Sequence, residues 1–226
     1  MKIPKLLTVS SLAFLTVACG GSSGSGAVLA ANLDEQTSFK PNNLNTQIEL
    51  LPLGEISEQE LEGLLYMREE EKLAHDVYSA LYTLWNMTIL NNIAASESTH
   101  TEAIRVLLER YGIDDPVTDS TIGVFTNATL QNLYDLLFSI GSASKIDALL
   151  VGAEIEEIDL IDIQHYIDQV EGNDDIVMAY QNLMKGSRNH LRAFVKVLKR
   201  QGVEYTPVHL DQETYEAIIN AATGAD

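Results

Sequence analysis

The sequence predicts an all-α protein whose core is a four-helix bundle. Leu, Ile, Ala and Glu dominate the middle of the chain, whereas proline occurs only 5 times in 226 residues. Four long segments place apolar residues three or four positions apart, which is the period of a helix with one buried face. No segment sustains the apolar–polar alternation typical of a strand, and no repeat with a period of about 20–50 residues indicates a solenoid.

The chain is strongly acidic. It carries 14 Lys and Arg against 33 Asp and Glu, so 14 − 33 gives a formal charge of −19. Such a chain is repelled by a phosphate backbone, and nucleic acid is excluded as a partner. An acidic surface favours solubility and attracts cations, but it does not by itself indicate a metal site.

The first 18 residues are typical of a secretory signal peptide. Lys2 and Lys5 precede an apolar stretch that is too short for a transmembrane helix. The segment Leu15-Thr-Val-Ala18-Cys19 resembles a bacterial lipobox, with Thr16 where Leu is usual. Cys19, the only cysteine, is therefore the expected lipidation site, and a plain cleaved signal is the alternative. The lipid anchor predicts a protein of the bacterial cell envelope, attached to the membrane and facing the periplasm or exterior.

A flexible tether is expected between this anchor and the folded domain, over residues 19–55. The segment from Gly20 to Gly26 consists only of Gly and Ser, a composition typical of flexible linkers. Residues 27–52 are polar and contain Pro41 and Pro52, which favours a linker.

Capping and termination signals in the sequence predict four long helices and two short ones. Ser57 and Glu60 form a capping box before an apolar run. Residues 114–127 are predicted to be a loop that crosses the bundle, with a short helix after it. The predicted bundle covers residues 56–205, and a tail with a short helix covers 206–226. The expected helices are 58–84, 89–111, 129–140, 145–170, 174–200 and 212–221.

Acidic and histidine side chains interrupt the apolar stripes of the four long helices. Glu97 and His100 are three residues apart on the second helix, which places a carboxylate and an imidazole side by side. Glu71 lies in the middle of the stripe on the first helix, Glu157 on the third and His190 on the fourth. These residues are the candidate metal ligands.

The third helix leaves a choice open, because a shift of one residue in register exchanges Glu157 for Glu156. Glu154 lies at the edge of the stripe, one turn before Glu157. Other acidic residues fall off the apolar stripes and are expected in solvent: Glu69, Glu70, Glu156, Asp159 and Asp162.

Each candidate also has an explanation without metal. Glu97 and His100 can form a surface pair, and Glu71 can pair with Arg68 or Lys72. His190 can be a core histidine bonded to a backbone carbonyl. However, a buried carboxylate without a partner costs several kcal/mol or stays protonated. Two divalent cations would neutralise four negative charges, and carboxylate with imidazole suits iron or manganese.

The chain resembles the DUF2202 family of ferritin-like proteins over about residues 56–205. Four motifs in order carry the resemblance: Glu71-Lys-Leu-Ala-His-Asp-Val-Tyr78, Glu97-Ser-Thr-His100, Gly152-Ala-Glu-Ile-Glu-Glu157 and Gly186-Ser-Arg-Asn-His190-Leu-Arg-Ala-Phe194.

The resemblance implies a ferritin-like or rubrerythrin-like four-helix bundle with two metal ions. In that superfamily the first and third helices supply Glu, and the second and fourth supply Glu-x-x-His. The matching residues here are Glu71, Glu97, His100, Glu157 and His190. Ser187 departs from the pattern, because it stands where the fourth helix would supply a Glu. Glu154 is the expected substitute, and His75 and Ser187 are expected to lie next to the ligands without binding metal.

Three functions fit these residues. The first is a metal-dependent oxidoreductase that oxidises ferrous iron or reduces oxygen or peroxide. The second is metal sequestration at the envelope without turnover. The third is a metal-free helical module that binds another envelope protein. The inward carboxylates favour the first two, and a homodimer is left open.

Overall fold

A computed structural model describes residues 44–221, which form seven helices and no strand. The all-α fold class predicted from the sequence is confirmed. The predicted signal peptide 1–18, the lipidation site Cys19 and the tether before residue 44 lie outside the described residues. None of the seven helices is both long and apolar enough to cross a membrane. They are α1 Leu44–Leu50, α2 Glu58–Trp85, α3 Thr88–Arg110, α4 Ala128–Gly141, α5 Lys145–Ile167, α6 Asp174–Arg200 and α7 Gln212–Asn220.

Two helical pairs make the bundle. α2 packs mainly against α3, and α5 packs mainly against α6, while further contacts join α2 to α5 and α3 to α6. The capping box predicted at Ser57 starts α2, with the Ser57 amide donating to the Glu60 carboxylate at 2.8 Å. Asn86 ends the same helix in the left-handed conformation, with φ of 50°. These local signals set the helix boundaries close to the predicted ones.

Buried charges on α2 hold the crossover between α3 and α4. Glu69 accepts hydrogen bonds from the backbone amides of Thr126 and Asn127. Lys72 donates to the carbonyls of Thr121 and Val124 at 3.0 and 3.2 Å. Glu69 was expected in solvent but is only 3% exposed. The reason is that the loop covers this face of the helix, and Glu69 provides the acceptors that its backbone amides need.

Part of the expected linker is helical. Residues 44–50 form α1, and Ile48 is completely buried. α1 contacts α3 and α6, and the Arg110 side chain donates to the Glu49 carbonyl at 3.0 Å. The segment is too polar and too short to form a helix alone, and its order comes from burying Ile48 on the bundle.

Candidate metal centre

Five side chains from all four long helices converge in the bundle interior. α2 supplies Glu71, α3 supplies Glu97 and His100, α5 supplies Glu156 and α6 supplies His190. They form two groups, Glu71–Glu97–His100 and Glu97–Glu156–His190, and within each group the potential ligand atoms lie within 4.8 Å of one another. We call these five residues the carboxylate–histidine centre.

The Glu97 carboxylate belongs to both groups. Its Oε2 lies 2.6 Å from His100 Nδ1, and its Oε1 lies 2.7 Å from His190 Nδ1. The first group is completed by Glu71 Oε2, 3.2 Å from His100 Nδ1, and the second by Glu156 Oε2, 3.4 Å from His190 Nδ1. One carboxylate with an oxygen directed to each of two imidazoles has the arrangement of a bridging ligand.

Several atoms of the centre are buried without a hydrogen-bond partner. These atoms include both Glu97 oxygens, Glu71 Oε1, Glu156 Oε2 and His190 Nδ1. Glu97 thus lies close to both imidazoles without the angles that a hydrogen bond requires. Carboxylate oxygens and imidazole nitrogens that lie close together without forming a hydrogen bond are arranged as ligands around a cation would be.

The carboxylates lie inside the bundle and the imidazoles at its edge. Glu71, Glu97 and Glu156 are 0% exposed, whereas His100 and His190 are each 9% exposed. The two imidazole rings stack with centroids 5.6 Å apart. The two imidazoles are therefore the groups of the centre that are nearest to solvent.

Neighbouring residues orient the ligands. The Tyr78 hydroxyl donates to Glu156 Oε1 at 2.6 Å and also contacts the Gly152 carbonyl at 3.2 Å. Ser96 Oγ lies 3.0 Å from His190 Nε2 and fixes the ring on the side away from Glu97. Partners of this kind set ring orientation and ligand basicity in metal sites.

The ionisable groups of the centre shift one another's pKa values strongly. Burial alone would raise the pKa of Glu97, but the charges of His100 and His190 outweigh it and hold this pKa at about 2. Burial tends to lower the pKa of His190, yet Glu156 and Glu97 raise it to about 10. Burial raises the pKa of Glu156 to about 7, against the opposing influence of His190. These pKa values favour protonated imidazoles beside ionised Glu97.

The structure places Glu157 and Glu154 away from the centre. Glu157 accepts hydrogen bonds from the backbone amides of Val208, His209 and Leu210, at 3.0, 2.6 and 2.9 Å. Glu154 lies 3.2 Å from His209 Nε2. Both carboxylates thus hold the segment before α7, and Glu156 occupies the position expected for Glu157.

There is a physical reason why Glu156, and not the neighbouring Glu157, faces the centre. α5 is covered on one side by the bundle and on the other by the C-terminal segment, so acidic residues on both sides are buried. Glu156 and Asp159, expected in solvent, are 0% and 1% exposed. Apolar periodicity shows that a helix has a buried face, but it cannot show which of two buried faces points to the bundle interior.

The face of α5 that carries Glu156 is also a regular stripe in the sequence, although only the structure shows what it packs against. Gly152, Glu156, Asp159 and Ile163 follow one another at intervals of four, three and four residues, which is one helical stripe. A side chain at Gly152 would collide with Phe194, so this stripe faces α6 closely. Tyr78, which contacts both Gly152 and Glu156, was also missed, because an apolar stripe does not show where a hydroxyl finds its partner.

Ser187 and His75 were expected next to the ligands, and the hydrogen bonds of both go to other residues. Ser187 is completely buried, and its hydroxyl donates to the Leu183 carbonyl at 3.2 Å. His75 Nδ1 lies 2.8 Å from Asp76 Oδ1 and is not in either ligand group. α6 therefore contributes one imidazole and no carboxylate to the centre.

Substitution of Glu157 by glutamine is expected to affect stability, whereas the same substitution of Glu156 is expected to affect cation binding. Glu157→Gln is expected to lower the free energy of unfolding by about 2 kcal/mol, because an amide group replaces a charged acceptor of backbone hydrogen bonds. It is expected to leave cation binding unchanged. Glu156→Gln is expected to lose one bound cation with little loss of stability. Chemical denaturation and elemental analysis of both variants measure this, and loss of metal from Glu157→Gln alone would contradict the register.

The donor set suits hard or borderline divalent cations. Each group offers two carboxylates and one imidazole, and such ligands suit iron or manganese, whereas thiolates, which soft metals prefer, are absent from residues 44–221. Three protein ligands per cation leave coordination positions for water or a small substrate. The buried atoms without partners would suit two cations, one held by each group, with Glu97 common to both groups.

Comparisons with known proteins agree with the fold and extend over most of the chain. The chain is 51% identical over 176 residues to the uncharacterised protein MJ0754 of Methanocaldococcus jannaschii, which covers 78% of this chain and 95% of that protein. The crystal structure of the hypothetical protein MJ0754 from Methanococcus jannaschii DSM 2661 matches with a TM-score of 0.75, covering 76% of this chain and 98% of that one. The family described as "Uncharacterized protein domain (DUF2202)" matches residues 60–222. The chain therefore belongs to the DUF2202 family.

Proposed function

We propose that the carboxylate–histidine centre binds two iron or manganese ions and acts as an oxidoreductase site for oxygen, peroxide or ferrous iron. The observation that carries the proposal is the Glu97 carboxylate, fully buried and directed to an imidazole from each of its oxygens. The order of ligands over the four long helices supports a ferritin-like centre. When bound, the two metal ions would supply the electrons for reduction of oxygen or peroxide.

The side chains of the centre have separable roles in this proposal. Glu71, Glu97 and Glu156 would neutralise the cations and set the distance between them. His100 and His190 would each bind one cation through Nδ1 and limit access from solvent. Tyr78 holds Glu156 through its hydrogen bond and keeps one carboxylate oxygen free to bind.

The proposal is tested by loading the protein with ferrous iron under anaerobic conditions. Elemental analysis is expected to give two ions per chain, and exposure to oxygen or peroxide is expected to change the absorption spectrum. The control is Glu102→Gln, which removes a carboxylate of α3 that pairs with Arg105 at the surface, outside the centre. This variant is expected to bind the same two ions as the unmodified protein. Two ions that do not respond to either oxidant would indicate sequestration. Protein that retains no metal would overturn the proposal and favour an interaction module.

Cation binding near neutral pH is expected to release protons. An imidazolium cannot bind a metal, and His190 has a pKa of about 10 in the cation-free protein, so it must lose its proton when the cation enters. The affinity for Mn²⁺ is therefore expected to increase from about pH 6 to about pH 8. Titration calorimetry in buffers of different ionisation enthalpy measures the proton count. A heat independent of the buffer would contradict the expectation.

We also infer that the N-terminal segment anchors the protein to the cell envelope through Cys19, as the lipobox resemblance suggests. Mass spectrometry of the mature protein is expected to find a lipid-modified Cys19 at its N-terminus. A Cys19→Ser variant is expected to leave the membrane fraction. Wild-type protein with an unmodified Cys19 would contradict this.

A further inference from the structure

The two ligand groups of the carboxylate–histidine centre share Glu97 but differ in what surrounds their other ligands. We call Glu97–Glu156–His190 the Glu156 group, and we call Glu71–Glu97–His100 the Glu71 group. A ligand that neighbouring residues hold by hydrogen bonds keeps its orientation before the cation arrives, so binding costs less conformational freedom. The neighbours of the unshared ligands therefore decide whether the two groups bind a cation equally.

Both unshared ligands of the Glu156 group are held by hydroxyl groups from outside the centre. The Tyr78 hydroxyl donates to Glu156 Oε1 at 2.6 Å. Ser96 Oγ lies 3.0 Å from His190 Nε2. When Nδ1 of this ring binds a cation, Nε2 carries the proton and donates it in a hydrogen bond to Ser96. The Glu156 group is thus oriented by two side chains that are not ligands.

The unshared ligands of the Glu71 group have no such hydroxyl partners among residues 44–221. Glu71 Oε1 is buried without a hydrogen-bond partner, and Glu71 Oε2 lies 3.2 Å from His100 Nδ1, inside the centre. The Nε2 edge of the His100 ring faces α6 at Gly186, where an added Cβ atom would collide with it. Glycine has no side chain that could accept a hydrogen bond from Nε2. The orientation of both ligands therefore depends on the centre itself.

The difference between the imidazoles occurs at corresponding positions of α3 and α6. Ser96 precedes His100 by four residues, and its hydroxyl reaches the imidazole of the other helix. Gly186 precedes His190 by four residues and likewise faces the imidazole of the other helix. The two helices thus present the same register to each other, but only α3 carries a hydroxyl there.

The difference between the carboxylates follows the same direction. Tyr78 follows Glu71 by seven residues on α2, and its hydroxyl holds the carboxylate of α5. The corresponding residue of α5, seven after Glu156, is Ile163, which is completely buried and has no group that donates a hydrogen bond. Both hydroxyl groups therefore support one side of the centre.

We propose that the Glu156 group retains its cation, whereas the Glu71 group is an exchangeable site at which a divalent cation binds and leaves. This inference rests on the proposed function, because it requires a centre that binds cations. Loss of a residue that supports a ligand typically lowers metal affinity about 10–100-fold, so the affinities of the two groups differ by at least about tenfold. In the oxidation of ferrous iron, the Glu71 group would then take the substrate ion.

The test compares the two groups one at a time, because two cations in one centre also repel each other. His100→Ala leaves only the Glu156 group complete, and His190→Ala leaves only the Glu71 group complete. Both full-length proteins are titrated with Mn²⁺, and the free ion is measured by electron paramagnetic resonance. We expect one bound ion in each protein, with a Kd at least about tenfold lower in His100→Ala.

Ser96 variants test the cause of this difference without removing a ligand. In the His100→Ala protein, Ser96→Ala is expected to raise the Kd about 10–100-fold, and Ser96→Thr, which keeps a hydroxyl, is expected to leave it unchanged. Ser98→Ala is the matched control, because Ser98 is an exposed serine of α3, and it is expected to have no effect. In the otherwise unmodified protein, Ser96→Ala is expected to weaken only the tighter of the two bound ions.

Two results would overturn the exchangeable site. One is a Kd difference between the two histidine variants that is smaller than about tenfold or has the opposite sign. The other is a Ser96→Ala variant that binds Mn²⁺ as tightly as its parent protein. Two ions bound with equal affinity would overturn this inference and leave the proposed function intact. Failure of the unmodified protein to bind Mn²⁺ would overturn both.

Discussion

Replacing Glu97 with alanine is expected to abolish tight binding of both cations. The two ligand groups share this residue, and each of its oxygens is directed to a different imidazole. Loss of a residue that supports a ligand typically lowers metal affinity about 10–100-fold. Loss of a shared ligand is expected to exceed this, with at least about a 100-fold decrease for each cation. Equilibrium dialysis with Mn²⁺ and elemental analysis of the same samples measure the effect.

Single histidine variants provide the matched comparison. His100→Ala removes a ligand from the Glu71 side only, and His190→Ala removes one from the Glu156 side only. Each is expected to retain about one ion per chain. Glu102→Ala, at a partly exposed position on the same helix as Glu97, is expected to retain two ions. If Glu97→Ala kept one ion, like the histidine variants, Glu97 would not be the bridging ligand.

Saturating Mn²⁺ is expected to raise the midpoint of thermal unfolding by roughly 8–16 °C. A ligand present at about 1,000 times its Kd stabilises the native state by about 4 kcal/mol. For a chain of about this size, 1 kcal/mol corresponds to roughly 2–4 °C. The physical reason is that the cation-free protein keeps buried carboxylate oxygens without partners, and the cations bind them only in the folded state.

Differential scanning calorimetry with and without Mn²⁺ measures this shift. Glu97→Ala is the control, and its midpoint is expected to be independent of Mn²⁺. Mg²⁺ at the same concentration is expected to stabilise wild type less, because imidazole is a poor ligand for it. Equal shifts in wild type and Glu97→Ala would show that Mn²⁺ binds elsewhere, for example to the acidic surface.

Local signals account for the helices that the sequence predicted well. The capping box at Ser57 and the apolar period from 58 onward are properties of neighbouring residues. Glu97 and His100 likewise needed only their i,i+3 spacing to be placed side by side. α1 was missed because its order depends on Ile48 packing against other helices, which no local pattern reports.

The face of α5 that reaches the centre was not predictable in the same way. Glu156 and Glu157 are neighbours in sequence, lie between two isoleucines and are both completely buried. One meets Tyr78 and His190, and the other meets three backbone amides from the C-terminal segment. The partners lie about 30 to 80 positions away in sequence, as the pairs with Tyr78 and His190 show.

The sequence by itself determined an all-α chain with six of its seven described helices, and it identified Glu71, Glu97, His100 and His190 as inward-facing candidates. Helix period, caps and residue spacing are local, and they act before the chain is compact. Only the tertiary structure decided that Glu156 joins these residues, that Glu157 binds the tail, and that Glu70 and Asp159 are buried. The reason is that burial of a charge depends on what covers it, and here the covering elements are distant in sequence.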